Sequence, residues 1–479
     1  MKKFNRNKFL HFFGYSLILI SVFLLMGCGA SSPTPAETET VVNDPTATSV
    51  PTWAPTATQE LTPKPTQTIE VDIDALDGVT VRFFHPWGGQ AAETLETIAT
   101  QFSLTNPYGI WVNVEAMGSE EVLIGRLIDS LESGDVPGLV ALHPYNLSML
   151  EDEFFTVNMT NYVDDPEWGL SAEAQADIPD VFIEPFTAGD ELIALPVAPQ
   201  AAVIFYNQTW AEALGFASVP VDQAAFRQQA CGATFANLDD SSNENDGTGG
   251  WIINRDPAAL ASWYVSFEGE LPLAGALKFN TAAGQASFNY LKNVYDEGCF
   301  WIGRQADPYY YFANRYALMY AGRLDQVPSQ AGWMTVAESQ DEWKVMGYPG
   351  ADGEVMIIDG PGLMLTADTP EQQLAAWLFA KHLLEPEVQA ALVRSLFTLP
   401  VRTSAMTHLE DLAAEYPQWA EGVDLIDRAV PLPISQAWGI GQWVLQDAIA
   451  RLLPSETNET DAILQELDRM LDEFETGAP

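Results

Sequence analysis

The chain has 479 residues, 47% of them hydrophobic and 11% aromatic, enough apolar surface for more than one core. Acidic residues number 66 against 21 Lys and Arg, a formal charge of -45. A field of that sign repels nucleic acid, anionic lipid headgroups and phosphorylated ligands unless a local basic pocket intervenes, and it suits a solvated surface that meets neutral or cationic partners.

In chain order, the basic "MKKFNRNK" precedes the apolar run "FLHFFGYSLILISVFLLM", placed where a secretion signal carries its apolar core. The run ends in "LMGC", 25–28, which resembles the bacterial lipoprotein signal, with Cys28 as the lipidated residue and Met26 at the variable position. A plain N-terminal membrane anchor is the alternative, since the run is nearly long enough to span. Both readings put the remaining chain outside the cytoplasm, and the first anchors it by lipid to the outer face of the cytoplasmic membrane. From 29 to 77 the composition turns to Thr, Pro, Ala, Ser and Glu, which cannot bury a core and reads as a disordered tether. At ~3.1 Å per residue, ~45 residues of polyproline-like chain reach at most ~140 Å. With Cys28 assigned to lipid, Cys231 and Cys299 remain as an even pair in an oxidising compartment. A disulfide is expected; two unpaired buried thiols are the alternative.

The globular part opens with the strand "GVTVRFF", which stops at "HPWGG". A helix follows with Leu95, Ile98 and Phe102 on one face, ending before Pro107. "GIWVNVEA" alternates like a strand, and the next helix is capped by Ser119 with Ile124, Leu127, Ile128 and Leu131 on its apolar face. "DVPGLVALHPY" supplies a third strand, so the order strand–helix–strand–helix–strand predicts a mainly parallel α/β sheet. "ELIALPVAPQAAVIFYNQTWAEALG" reads as an extended run, a strand and a helix; "RYALMYAG" and "EVMIIDGPGLMLT" are further strands broken at Gly. A helix capped by Thr369, with Pro370 at its first position and Gln372 completing a capping box, opens a helical C-terminal region. That region closes on a helix with Ile463, Leu467, Met470 and Phe474 in one stripe.

Chemistry is sparse. No Walker A sequence, dinucleotide fingerprint or nucleophile elbow is present, and the five histidines show no paired metal-ligand spacing. "LDDSSNENDGTGG" lacks the Glu that a calcium loop of EF-hand type needs at its twelfth position and reads as a solvated loop. Neither a catalytic residue, a metal site nor a cofactor is expected, although carboxylates are numerous enough to leave a glycosidase pair open. Aromatics beside turns stand out: Trp87, Tyr145, Trp251, Trp263, Tyr264, Tyr348, Trp438 and Trp443, whereas Trp301 and Trp377 sit in apolar stretches and read as core. Beyond the carboxyl ends of strands such rings suit the C–H faces of a sugar, with core packing as the alternative.

From about Val79 onward the chain resembles the extracellular solute-binding proteins of ABC importers, in the branch that binds sugars, maltodextrins and glycerol 3-phosphate. "FFHPWGG", "GDVPGLVAL" (with Gly138 at the usual acid), "ALPVAPQAAVIFYN", "TPEQQLAAWLFAKHLLEPEVQAALV" and "FTLPVRTSA" stand in the family's order. The resemblance implies two α/β lobes closing on ligand like a clamp, a periplasmic-binding-protein fold of the second type. The N-lobe would take 78–197 plus 322–360 and the C-lobe 201–320 plus 365–479, with "LPVAPQ", "MYAGR" and "IDGPG" as crossovers. Ligand positions carried over are His85, Trp87, Ser119, Glu120, His143, Tyr145, Gln200, Trp263, Arg323, Gly360, Gly362, Thr398 and Trp443. Glycerol-phosphate binders carry an Arg about where Trp443 stands, so a neutral sugar or oligosaccharide is implied. Arg323 alone keeps an anionic group open, or else it anchors the hinge. The implied partners are ABC permease subunits with a separate ATPase, the protein itself being a monomer. An extracellular glycosidase, or a binding protein feeding a sensor kinase, are the other classes.

Overall fold

The computed structural model describes residues 68–143, 145–146, 156–273, 275–303 and 308–476, which belong to one compact unit. The signal, Cys28 and nearly all of the tether lie outside the described residues. Order begins earlier than 77: the Ile69 amide donates to Asp165 Oδ2 (2.9 Å) and Leu76 is fully buried, so the last residues of the expected tether belong to the folded part.

The first sheet forms as the sequence predicts. Strand β1 (Thr80–His85) leads to helix α1 (Gly89–Thr105), strand β2 (Trp111–Ala116), helix α2 (Glu120–Ser133) and strand β3 (Leu139–Leu142). Ser119 caps α2 by accepting from the Val122 amide at 3.3 Å. The buried face of α2 is Leu123, Leu127 and Ser130, one position round from the expected stripe, with Ile124, Ile128 and Leu131 at its half-buried edge. After β3 the chain returns through the short strand β4 (Leu195–Pro196) and crosses into the second sheet along β5 (Gln200–Asn207).

The second half of the chain alternates again: helix α3 (Gln223–Asp239), strand β6 (Gly249–Ile252), helices α4 (Pro257–Ser266) and α5 (Ala282–Asp296), strand β7 (Phe300–Trp301) and strand β8 (Ala317–Arg323). Helix α6 (Val327–Val336) and strands β9 (Trp343–Met346), β10 (Tyr348–Gly350), β11 (Gly353–Asp359) and β12 (Gly362–Leu365) follow. Helices α7 (Pro370–Leu383) and α8 (Pro386–Leu396), strand β13 (Ala429–Pro431) and helices α9 (Gln436–Leu452) and α10 (Thr460–Thr476) complete it. At α7, Thr369 Oγ1 accepts from the Gln372 amide at 3.3 Å and Pro370 occupies the first turn, as predicted. On α10 the buried stripe is Ile463, Leu464, Leu467 and Leu471, while Met470 is exposed.

The described strands make two main sheets. One has the order β2-β1-β3-β12-β4; the other runs β10-β11-β5-β8-β6-β7, with β9 also on β5 and β13 on β11. Strand β1 is parallel to β2 and β3, β8 to β6, and β6 to β7. Strands that cross between the sheets run the other way: β12 is antiparallel to β3, and β5 to β8, β9 and β11.

Strand pairing corrects the expected lobe boundaries. Residues 322–360, assigned to the N-lobe, lie in the second sheet, where β11 pairs with β5 and β13. Strand β12 and helix α7, assigned to the C-lobe, belong to the first: Leu363 faces Ala141 in register, and Phe379 meets Phe83 at 5.9 Å. "MYAGR" is the last part of β8, held between β5 and β6, and not a crossover. The chain changes sheets at 196–200, at 359–362 and again beyond α8. Cys231 of α3 and Cys299 are joined by a disulfide, which ties α3 to the start of β7.

Candidate functional site

The carboxyl ends of β1 and β3 and the amino end of α2 meet at one edge of the first sheet. His143, just past β3, is gripped by Glu120 at the first turn of α2. Its amide donates to Oε1 (2.6 Å), and its Nδ1 lies 2.7 Å from Oε2. Burial alone would push the Glu120 carboxyl up, but His143 outweighs it and holds the carboxyl below its usual range. Burial likewise disfavours a charged His143, yet Glu120, reinforced by Asp359, raises its pKa. The two directions agree on an ion pair.

Asp359 and Arg323 come from the second sheet. Strands β11 and β8 flank β5, and their register sets Asp359 beside Gln200 and Arg323 beside Ala202. Residues 200 and 202 share a face of β5, so the guanidinium reaches over the strand to the carboxylate. Arg323 Nη2 bonds Asp359 Oδ1, and Nη1 lies 3.8 Å from Asp256 Oδ1. Burial opposes the charge on Arg323, but these carboxylates raise its pKa further. Gln200 Oε1 is buried beside this pair without a partner among the described residues. Gly360 takes φ +151°, and a Cβ there would meet Ala198 O at 2.9 Å, so glycine lets the two crossovers run side by side.

Tyr145 carries the first sheet toward the second. It packs against the second core, bonds Gln442 of α9, and its carbonyl would sit 3.3 Å from a Cβ on Gly439. One turn along α9, Trp443 is 68% exposed and forms one wall of an open trough of about 620 Å³ with Asn254, Arg255, Asp256, Gln446 and Asp447. Asp256 is already engaged as the cap of α4, accepting from the Ala258 and Ala259 amides.

The expected positions therefore sort into groups. Glu120, His143, Tyr145, Gln200, Arg323 and Gly360 converge where the sheets meet, and Trp443 flanks them. Ser119 lies at the same helix end, its hydroxyl used as a cap. Trp87 is half-buried and stacks on His85 at 5.5 Å and 28°. His85 itself is wholly buried, packed also on Phe83 at 5.4 Å, with neither ring nitrogen partnered among the described residues. Burial pushes its pKa down from 6.5 to about 4, so it is neutral near pH 7 and does not line an open wall.

Three expectations are corrected outright. Trp263 is 0% exposed, wedged among Phe226, Trp251 and Tyr348 in the second core. Helix α4 explains this: eight of its ten residues are buried, so every face packs. Thr398 is buried too, its carbonyl accepting from Trp419 Nε1 at 3.1 Å. Gly362 is a packing glycine, since a Cβ would fall 2.6 Å from Ala194 and 2.7 Å from Phe186. Of the other turn-side aromatics, Trp251, Tyr264, Tyr348 and Trp438 are core residues as well. Sequence reasoning missed Asp359, Asp256 and Asn254. The Asp before Gly360 in "IDGPG" and the Asn-x-Asp-Pro helix start at 254–257 were the available signals.

Residues 97–421 match the sequence profile of the bacterial extracellular solute-binding proteins, and the chain belongs to that family. Among solved structures, MalE from Xanthomonas citri, a sugar-binding protein, aligns at TM-score 0.70 and 19% identity over 83% of this chain and 98% of that one. The cyclic α-maltosyl-1,6-maltose binding protein of Arthrobacter globiformis aligns at 0.69 and 16% over 82% and 98%. UgpB from Mycobacterium tuberculosis, in complex with glycerophosphocholine, gives 0.66 and 16% over 83% and 98%. At these identities the likeness is one of fold. Comparison with curated proteins finds no match.

Proposed function

We propose that this chain is the ligand-capturing lipoprotein of an ABC importer. In this reading it is anchored through Cys28, binds a neutral sugar or oligosaccharide between its two lobes, and passes it to a membrane permease driven by a separate ATPase. The observation that carries the sugar assignment is Trp443. A large ring 68% exposed beside Asn254, Asp256 and Gln446 offers a stacking face next to hydrogen-bonding groups. Two of the structures aligned above are sugar or maltosyl binders, which fits. An anionic ligand is disfavoured because Arg323 is already committed to Asp359 and Asp256.

The lobes take the two sheets as units: about 78–198 with 362–408, and about 199–359 with the remaining C-terminal part. Trp87, Glu120, His143, Tyr145 and Gln200 line the cleft in this reading, with Arg323 and Gly360 setting the hinge and Trp443 the far wall. Closure follows only if ligand contacts both lobes better in the closed state, since equal affinity shifts nothing. The test is calorimetry of the mature protein against mono- and oligosaccharides, polyols and glycerol phosphates. Saturable binding of an unchanged sugar, weakened about fivefold or more in Trp443→Ala and in Trp87→Ala, supports the reading. Turnover of the sugar, or tight binding of glycerol phosphates alone, contradicts it.

A further inference from the structure

His143 and Asp359, one member of each ion pair, also line a cavity of about 30 Å³. Its walls are apolar and come from all parts of the junction. Phe182 and Phe186 belong to the first lobe, Pro199 and Pro361 to the two crossovers, and Leu432 and Ile434 to the segment between β13 and α9. The polar side chains of its lining are those of His143, Tyr145 and Asp359. A single water needs roughly 10–15 Å³, so the hole has room for about one methyl-sized group. A hydroxyl placed there would lose its hydrogen bonds to water and gain none from the Phe, Pro, Leu or Ile side chains.

We infer that this cavity seats a methyl substituent of the bound sugar, while His143, Tyr145 and Asp359 meet the ring's hydroxyls, so that the protein selects methyl-bearing sugars. The inference rests on the sugar-binding reading above. Two common substituents supply the group: the C6 methyl of a 6-deoxyhexose and the methyl of an N-acetyl group. Because both crossovers and both lobes contribute walls, filling the cavity adds contacts that exist only when the junction is packed around the ligand.

The test is calorimetry on the mature protein with matched pairs: L-fucose against L-galactose, L-rhamnose against L-mannose, and N-acetylglucosamine against glucose, each also as a short oligosaccharide. The expected result is about tenfold tighter binding of one class of methyl-bearing partner, the class identifying the substituent. In Ile434→Phe, which fills the hole, the affinity ratio within that pair should collapse toward one. Val181→Phe fills it from the opposite lobe and serves if the first variant does not fold. Equal affinities within every pair overturn the inference but leave sugar binding standing. So does an Ile434→Phe variant that weakens both members alike, which would make the cavity a matter of hinge packing only. Absence of binding to any sugar overturns the sugar reading itself.

Discussion

Replacing His85 with Phe should change how the protein responds to acid. The imidazole ends β1, wholly buried between Phe83 and Trp87, and neither nitrogen has a partner among the described residues. Burial lowers its pKa from 6.5 to about 4. Between those values the unfolded chain takes up a proton that the folded chain refuses. Stability is therefore lost as pH falls from about 6.5 toward 4, and is untouched above 6.5. At ~1.36 kcal/mol per pH unit the loss approaches roughly 3 kcal/mol by pH 4. Phenylalanine fills similar space, carries no proton and leaves no unsatisfied nitrogen, so His85→Phe should remove that loss and add about 1 kcal/mol at pH 7. Urea unfolding of both proteins at several pH values between 7 and 4 measures it. The stability difference should widen by about 3 kcal/mol on acidification. Parallel profiles would show that His85 is hydrogen-bonded or hydrated in solution, and would refute the reasoning.

Other expectations follow from the same contacts. Trp263→Ala should cost about 3–5 kcal/mol of stability through the cavity it opens among Phe226, Trp251 and Tyr348, read as a drop in denaturation midpoint. Reducing Cys231–Cys299, whose sequence separation is 68, should cost roughly 4 kcal/mol by loop entropy, measured by unfolding with and without reductant. Glu120→Gln should lower the midpoint of the His143 ring signals in an NMR titration. The stabilisation carried by His143 is complete below pH 6.5 and fades as pH rises through its raised folded value. That of Glu120 is complete above 4.5 and fades as pH falls through its lowered one, so the variant should lose stability most between those pH values.

The first sheet was legible because local signals agreed. A continuous apolar strand, a helix that must end before Pro107 and a Ser cap at 119 all point to one register. The lobe boundaries were not, because β11 and β12 are consecutive apolar strands separated only by Gly360 and Pro361. Nothing local says that the chain changes sheets there; pairing with β5 and with β3 decides it. The aromatic residues failed for a related reason. A Trp beside a turn looks alike in sequence whether its ring faces a cleft or, as with Trp251, Trp263 and Trp438, a neighbouring helix. Trp443 was distinguishable only by its surroundings on α9, where Gln442, Gln446 and Asp447 flank it.

Ligand capture between two lobes is tested most directly by small-angle scattering of the mature protein during titration with an oligosaccharide series, with the sugar recovered afterwards and weighed by mass spectrometry. The expected result is one sugar bound per chain, a smaller radius of gyration at saturation, and recovery of the sugar intact. No change in dimension at saturating sugar, or recovery of cleaved products, would contradict it.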